Sequence, residues 1–147
     1  MIRRIGHAPD AKRNYTLRVG AYAILPLGDR VLLTGQVAGE LDIQLPGGGV
    51  DPGESQLQAL HREVLEETGW TIARPKRLGA FRRFVFMPEY DLWAEKLCHI
   101  YVAHPVYRRA DPLEEDHITL SLKPADAIHV LENDGDRMLL SRYFGAA

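Results

Sequence analysis

Four glutamates and one arginine recur at fixed intervals in the middle of this chain: Glu54, then Arg62-Glu63, then Glu66-Glu67. The run Pro46-Gly47-Gly48-Gly49 stands ahead of them and Gly69-Trp70 behind. Carboxylates this close repel one another, and two of them near a helix C-terminus also oppose its dipole. A hard divalent cation offsets that cost. Mg²⁺ takes oxygen ligands, uses few carboxylates and keeps water and substrate phosphates in its shell. Such an ion lowers the pKa of bound water and offsets nearby negative charge, so the chemistry in view is that of a metal site. Arg62 can hold a carboxylate through a bidentate hydrogen bond, with Glu54 or Glu66 as its partner.

The elements that must position these groups follow from composition. Pro46 and the three glycines predict a turn, outside any helix or regular strand, where backbone approaches a ligand closely, and Asp51-Pro52-Gly53 extends it. Residues 54–68 contain neither Pro nor Gly and are rich in Leu, Gln, Ala, Arg and Glu, which predicts a helix of about four turns stopped by Gly69. At about 100° per residue, Leu57, Leu60 and Val64 share one stripe. Glu63, Glu66 and Glu67 lie on an adjacent face at i, i+3 and i+4, so three carboxylates are expected to converge within one turn. A solvated helix face would also carry such charges, but it has no need of the glycine loop or of the fixed spacing to Glu54 and Gly69.

The stretch Gly48-x5-Glu54-x7-Arg62-Glu63-Val64-x-Glu66-Glu67-x-Gly69-Trp70 resembles the Nudix box at every position. Seven of those positions demand one residue type, which gives a random match of about 10⁻⁹ per starting point at ordinary usage. The close match covers residues 43–70, with Ile43 where many members carry Trp. The resemblance implies an α/β/α sandwich around a mixed sheet, and an enzyme that cuts a phosphoanhydride bond in a nucleoside diphosphate derivative by attack of a metal-activated water. The derivative would be of the nucleotide sugar or ADP-ribose type, or a nucleoside triphosphate. By the same analogy Gly47, Glu63, Glu66 and Glu67 are the expected ligands of Mg²⁺, with Mn²⁺ as a substitute, and Arg62 orients the glutamates. The general base is Glu63 within the box, or Glu114 or Glu115 on a loop outside it. A module that senses nucleotides without cleaving them is the alternative on the same fold, although it would have no need of all four carboxylates. Diphosphate isomerisation on this fold would need a well-placed catalytic cysteine, whereas Cys98 reads as buried packing.

Length and charge narrow the partners. At 147 residues the chain suits one domain, burying about two-thirds of its unfolded surface. Residues 1–14 read as an N-terminal arm or a short edge strand, and 15–147 as the domain. A net charge of −2, with both signs interspersed, excludes the basic field of a protein gripping long nucleic acid, so the expected partner is a small nucleotide. One cysteine excludes an internal disulfide and any CxxC metal or redox motif. No apolar run has membrane-spanning length and no leader is evident, so a cytoplasmic location is expected. The family resemblance suggests a homodimer.

Along the chain, residues 18–25 and 31–34 predict a hairpin around residues 26–30, and residues 41–45 lead into the glycine loop. Residues 78–86 and 96–106 predict strands separated by Pro88-Glu89-Tyr90-Asp91, and residues 117–122 a further strand. Residues 124–131 predict a short helix, 133–135 a turn and 136–144 a final helix. Several strands with a helix after the third and helices at the end make an α/β layered domain with a mixed sheet. Substrate contacts are expected outside the box: Arg18, Arg82 and Arg83 to phosphates, and Tyr90, with Phe86 and Trp93, stacking on base or ribose. His117 could orient a ligand or simply begin a strand, and His61 faces away from the carboxylates.

Overall fold

The computed structural model describes residues 2–37, 39–113 and 115–145. Eight strands form one mixed sheet: β1 (Arg3–Arg4), β2 (Thr16–Leu27), β3 (Arg30–Gln36), β4 (Asp42–Gln44), β5 (Gly47–Gly49), β6 (Trp70–Met87), β7 (Leu92–Arg108) and β8 (His117–Leu122). Among the described residues three α-helices accompany them, α1 (Gln56–Thr68), α2 (Pro124–Val130) and α3 (Asp134–Phe144), with a single 3-10 turn at Pro88–Tyr90. The strand order is β1-β6-β7-β2-β3-β4, with β5 on β2 and β8 on β3. The β2–β7 and β1–β6 pairs are parallel and the others antiparallel.

Alternation along β2 creates the two cores. Ala21, Ala23 and Leu25 face α1 and meet Leu60 and Val64, together with Ile72, Tyr101 and Ala103. Tyr22 and Ile24 face the other way, toward Ala127, Leu131, Leu139 and Leu140 of the α2–α3 layer, with Phe81, Cys98 and Ile100 beside them. The result is an α/β/α sandwich. A side chain reaches only one face of a strand, so β2 serves both layers at once.

Four local expectations differ from the structure. Gly47–Gly49 is a strand after all, short and antiparallel to β2, with Tyr22 opposite Gly47 and Gly20 opposite Gly49. It can be one because it lies so close to β2: a Cβ on Gly47 (φ +146°) would stand 2.2 Å from the Ala21 carbonyl. The central helix begins at Gln56, because Ser55 forms the capping box and stops the helix short of Glu54. Leu57 is exposed, and Ala59 instead joins Leu60 and Val64 in the core. The last helix begins at Asp134, capped by the Asn133 side chain on the Asp136 N–H, and includes Gly135, whose missing Cβ makes room for the Phe81 ring.

The arm at residues 1–14 reaches the sheet through β1, which pairs with Phe81 and Arg82 of β6. Among the described residues no helix is long and apolar enough to cross a membrane.

Candidate active site

Capping decides where the box side chains stand. The Ser55 hydroxyl accepts from the Gln58 N–H at 3.1 Å, and the Gln58 side chain accepts from the Ser55 N–H at 2.8 Å. Helical geometry therefore starts just after Glu54, which stays on the loop side and accepts the Asp51 N–H at 3.0 Å. At the other end Gly69 adopts the left-handed conformation (φ +77°), and its N–H bonds the Leu65 carbonyl.

Arg62 joins the loop to the helix. Its Nε and Nη2 donate to the two oxygens of Glu54 at 2.7 and 2.9 Å, and Nη1 donates to Glu63 at 3.0 Å and Glu66 at 3.3 Å. Nη2 also donates to the Gly49 carbonyl at 3.1 Å. The choice between Glu54 and Glu66 is thus no choice, since the planar fork takes both. The Arg62 bonds, helped by the Asp51 N–H, hold the Glu54 carboxyl down at about 2. The same Glu54 bond raises the Arg62 pKa.

Glu63 is in the opposite condition. Burial first, and then the charge of Glu67, push its carboxyl up to about 7 despite the bond from Arg62. It lies directly beneath the glycine strand, where a Cβ on Gly48 would come within 2.5 Å of its carboxyl carbon. Glu67 is buried, accepts the Gly47 N–H at 2.8 Å and stands 3.2 Å from His117 Nε2. His117 therefore belongs to this constellation as the neighbour of Glu67. Glu63, Glu66 and Glu67 share one side of α1 but diverge at their tips, the first two to Arg62 and the third to Gly47 and His117. Among the described residues no three acid, histidine or cysteine side chains close on one point.

The donor set fits a hard divalent cation. Four carboxylates surround one guanidinium, which leaves excess negative charge, and the Glu63 carboxyl, raised by burial and then by the charge of Glu67, stands beside a strand of bare backbone. Glu63, Glu66 and Glu67 are the side chains that could hold such an ion, with Gly47 backbone beside them.

Candidates outside the box fall into groups. Glu115 is exposed on a loop pinned to α1 by the Leu113 N–H on the Glu66 carbonyl at 2.8 Å; Glu114 lies outside the described residues. Arg82 and Arg83 are adjacent on β6 and so point to opposite faces. Arg82 bonds Glu95 at 2.9 Å and the Ile2 carbonyl at 3.2 Å. Arg83 lies on the α3 side and borders a cleft of about 370 Å³ with Glu40, Asp42, Glu132 and Asn133. The Arg18 guanidinium stacks 4.5 Å from the centre of the exposed Tyr90 ring. Phe86 packs on Trp93, which also carries Arg13 at 3.6 Å, so both rings are engaged locally.

Two residues of the α3 side carried no signal in the sequence. Asp136 is buried and accepts the Leu45 N–H at 3.2 Å, just before the glycine strand. Lys96 sat within an expected strand, and only the pairing register reveals its neighbours. Cys98 is buried and its thiol is pushed up to about 12 by that burial, which is contrary to a nucleophile.

Comparison with known proteins bears on the family and the fold. The NUDIX domain family model matches residues 14–143. Among curated proteins, the chain is 49% identical over 49 residues to a Bacillus subtilis (strain 168) protein provisionally named an 8-oxo-dGTP diphosphatase, covering 33% of either chain. It is 36% identical over 74 residues to an RNA pyrophosphohydrolase of Legionella pneumophila (strain Corby), covering 50% of this chain and 41% of that one. The match thus spans well under half the length of these relatives. Among solved structures, a NUDIX hydrolase from Nitrosomonas europaea superposes with a TM-score of 0.73 at 20% identity, over 88% of this chain and 90% of the other, a likeness of fold. With the box complete, the sandwich in place and the family model covering nearly the whole chain, this protein belongs to the Nudix family.

Proposed function

We propose that this chain is a divalent-metal-dependent pyrophosphohydrolase that cleaves a phosphoanhydride bond in a nucleoside diphosphate derivative. The substrate is either of the nucleotide sugar or ADP-ribose type or a nucleoside triphosphate, and the setting is the cytoplasm. The observation that carries the reading is the placement of Glu63 against Gly48, with Glu67 fastened to Gly47 and Arg62 fastened to Glu54. Relatives named for 8-oxo-dGTP diphosphatase and RNA pyrophosphohydrolase activities support the reaction type.

Glu63, Glu66 and Glu67, with Gly47 backbone, would hold Mg²⁺ or Mn²⁺, which supplies charge neutralisation at the phosphoryl oxygens and a more acidic water. The protein's own contribution is order. Arg62 stays charged and joins Glu54 to the helix, so the loop and α1 keep one spacing. Glu67 fixes the Gly47 amide, and His117 beside it holds the Glu67 carboxylate in its rotamer. Glu63 in the box or Glu115 on the loop is the candidate proton acceptor.

Product analysis in Mg²⁺ buffer tests this with ADP-ribose, nucleotide sugars, dinucleoside polyphosphates and ordinary and oxidised nucleoside triphosphates. Cleavage of one class, falling by at least about 10²-fold in Glu67→Gln, is the expected result. Nucleotide binding with no cleavage of any of them would replace the hydrolase with a sensing module.

A further inference from the structure

Along the chain the two charge signs are interspersed, but the fold sorts them. Strands β1, β6 and β7, side by side at one end of the sheet, carry nine of the chain's 18 lysines and arginines and a single carboxylate, Glu95. Glu95 is bonded to Arg82, and Asp111, just beyond β7, to Arg108. Arg3, Arg4, Arg74, Lys76 and Arg77 are exposed. Among the described residues none of these five has a carboxylate within ion-pair distance.

β6 pairs with β7 along one side and on the other meets β1 only at Phe81 and Arg82, so the rest of its outer edge has no strand partner among the described residues. Register shifts between Ala73 and Lys76 and between Arg77 and Gly79, with Arg74 at φ +51°, bulge the strand where its exposed cations stand. Bulges, Pro75 and charge all blunt an open edge against another strand, but either sign of charge would serve for that. A uniform sign makes a positive field, and a field selects a partner. From Arg74 to Arg83 the strip runs roughly 30 Å at the usual rise per residue, and Arg3 and Arg4 widen it at the far end. A single nucleotide touches a fraction of that length, whereas a chain with a phosphate at each link follows all of it. Exposed rings stand near both ends, Tyr107 at 56% exposure and Phe86 at 41%. Flat apolar faces among cations suit unpaired bases, and an acidic peptide has no use for them.

We propose that the β1–β6 edge is a docking surface for single-stranded polynucleotide, gripped by Arg3, Arg4, Arg74, Lys76 and Arg77, with bases stacked on Phe86 and Tyr107. The surface is separate from the Glu54–Glu67 box, and its occupancy does not depend on cleavage. On a protein of net charge −2 such binding is local, electrostatic and salt-sensitive. Engaging about four phosphates gives a slope near −3 for log affinity against log salt concentration.

The test is fluorescence anisotropy with a labelled oligouridylate of about twelve nucleotides. Its 5′ end is a hydroxyl, so it holds no phosphoanhydride bond, and the buffer holds no divalent cation, so the box contributes no metal-bridged binding. Affinity should fall with that slope between about 50 and 200 mM salt. Lys76→Gln with Arg77→Gln, and separately Arg3→Gln with Arg4→Gln, should each weaken binding roughly fivefold or more and reduce the slope by about 1.4. Phe86→Ala should weaken binding at an unchanged slope, and Lys123→Gln, an exposed charge just before α2, should alter neither. An RNA duplex or polyglutamate of equal length binding as tightly as the oligouridylate would overturn the proposal. So would a wild type that does not bind, or folded double variants with wild-type affinity. The two readings fail separately: oligouridylate binding without hydrolysis of any nucleotide sinks the hydrolase alone, and hydrolysis without oligouridylate binding sinks the docking surface alone.

Discussion

Gly48 and Glu63 share one small volume: a Cβ on the glycine would sit 2.5 to 2.8 Å from the carboxyl atoms of the glutamate. The side chain absent at residue 48 is thus the space in which the Glu63 carboxyl stands. Gly48→Ala should displace that carboxyl while leaving β5 paired to β2. Misplacement by about 1 Å costs on the order of 10²-fold in rate. Steady-state kinetics should show that loss in kcat, and thermal unfolding should show a midpoint within a few degrees of wild type.

Arg62→Lys keeps the charge and loses the fork. A lysine cannot hold both oxygens of Glu54 and also reach Glu63, Glu66 and the Gly49 carbonyl. Activity should fall about 10- to 10²-fold, with the metal concentration for half-maximal rate shifted upward. A metal titration of initial rates distinguishes this from uniform loss.

The buried Asp136 makes stability depend on pH. Burial lifts its carboxyl from the usual 3.8 to about 6. Because the folded value is the higher one, its favourable contribution is complete below about pH 4 and is lost as pH rises through about 6, a swing on the order of 3 kcal/mol. Denaturant unfolding of wild type and Asp136→Asn between pH 3.5 and 7.5 should show wild type gaining on the variant as the pH falls. A difference independent of pH would refute this.

Gly69 couples the helix end to the loop after β7. Its left-handed backbone and the Ala110 carbonyl, 1.8 Å from where a Cβ would stand, both exclude alanine. Left-handed strain alone costs about 1–3 kcal/mol, and the backbone clash adds to it. Gly69→Ala should lower the unfolding midpoint clearly, by more than Gly53→Ala, where φ is +80° but nothing lies within 4 Å of the added Cβ.

Divalent metal should stabilise the fold through the box. Binding to the folded state alone contributes about 2.7 kcal/mol at a hundredfold excess over Kd. Mg²⁺ should therefore raise the unfolding midpoint of wild type, and much less that of Glu63→Gln. Equal shifts in both proteins would place the ion elsewhere.

How much of this was legible in the sequence depends on whether the interaction is local. Arg62, Glu63, Glu66 and Glu67 lie within two turns of α1, so residue spacing alone brings them to one side of the helix, and Gly69 announces the helix end; Glu54, on the loop before Ser55, reaches them only through Arg62. The layered α/β class was equally readable, since it follows from the period of apolar residues and the position of turns. Helix boundaries were less so, because Ser55 and Asn133 compete with their neighbours for backbone N–H groups, and capping wins by a single side-chain bond. What only the tertiary structure decided are the relations across strands and layers: Gly48 over Glu63, His117 beside Glu67, Asp136 on the Leu45 amide, and Arg82 parted from Arg83. The cationic edge of β1 and β6 is of the same kind, since strand pairing alone brings Arg4 beside Arg82. Register is set by the packing of both cores together, and no single segment contains that information.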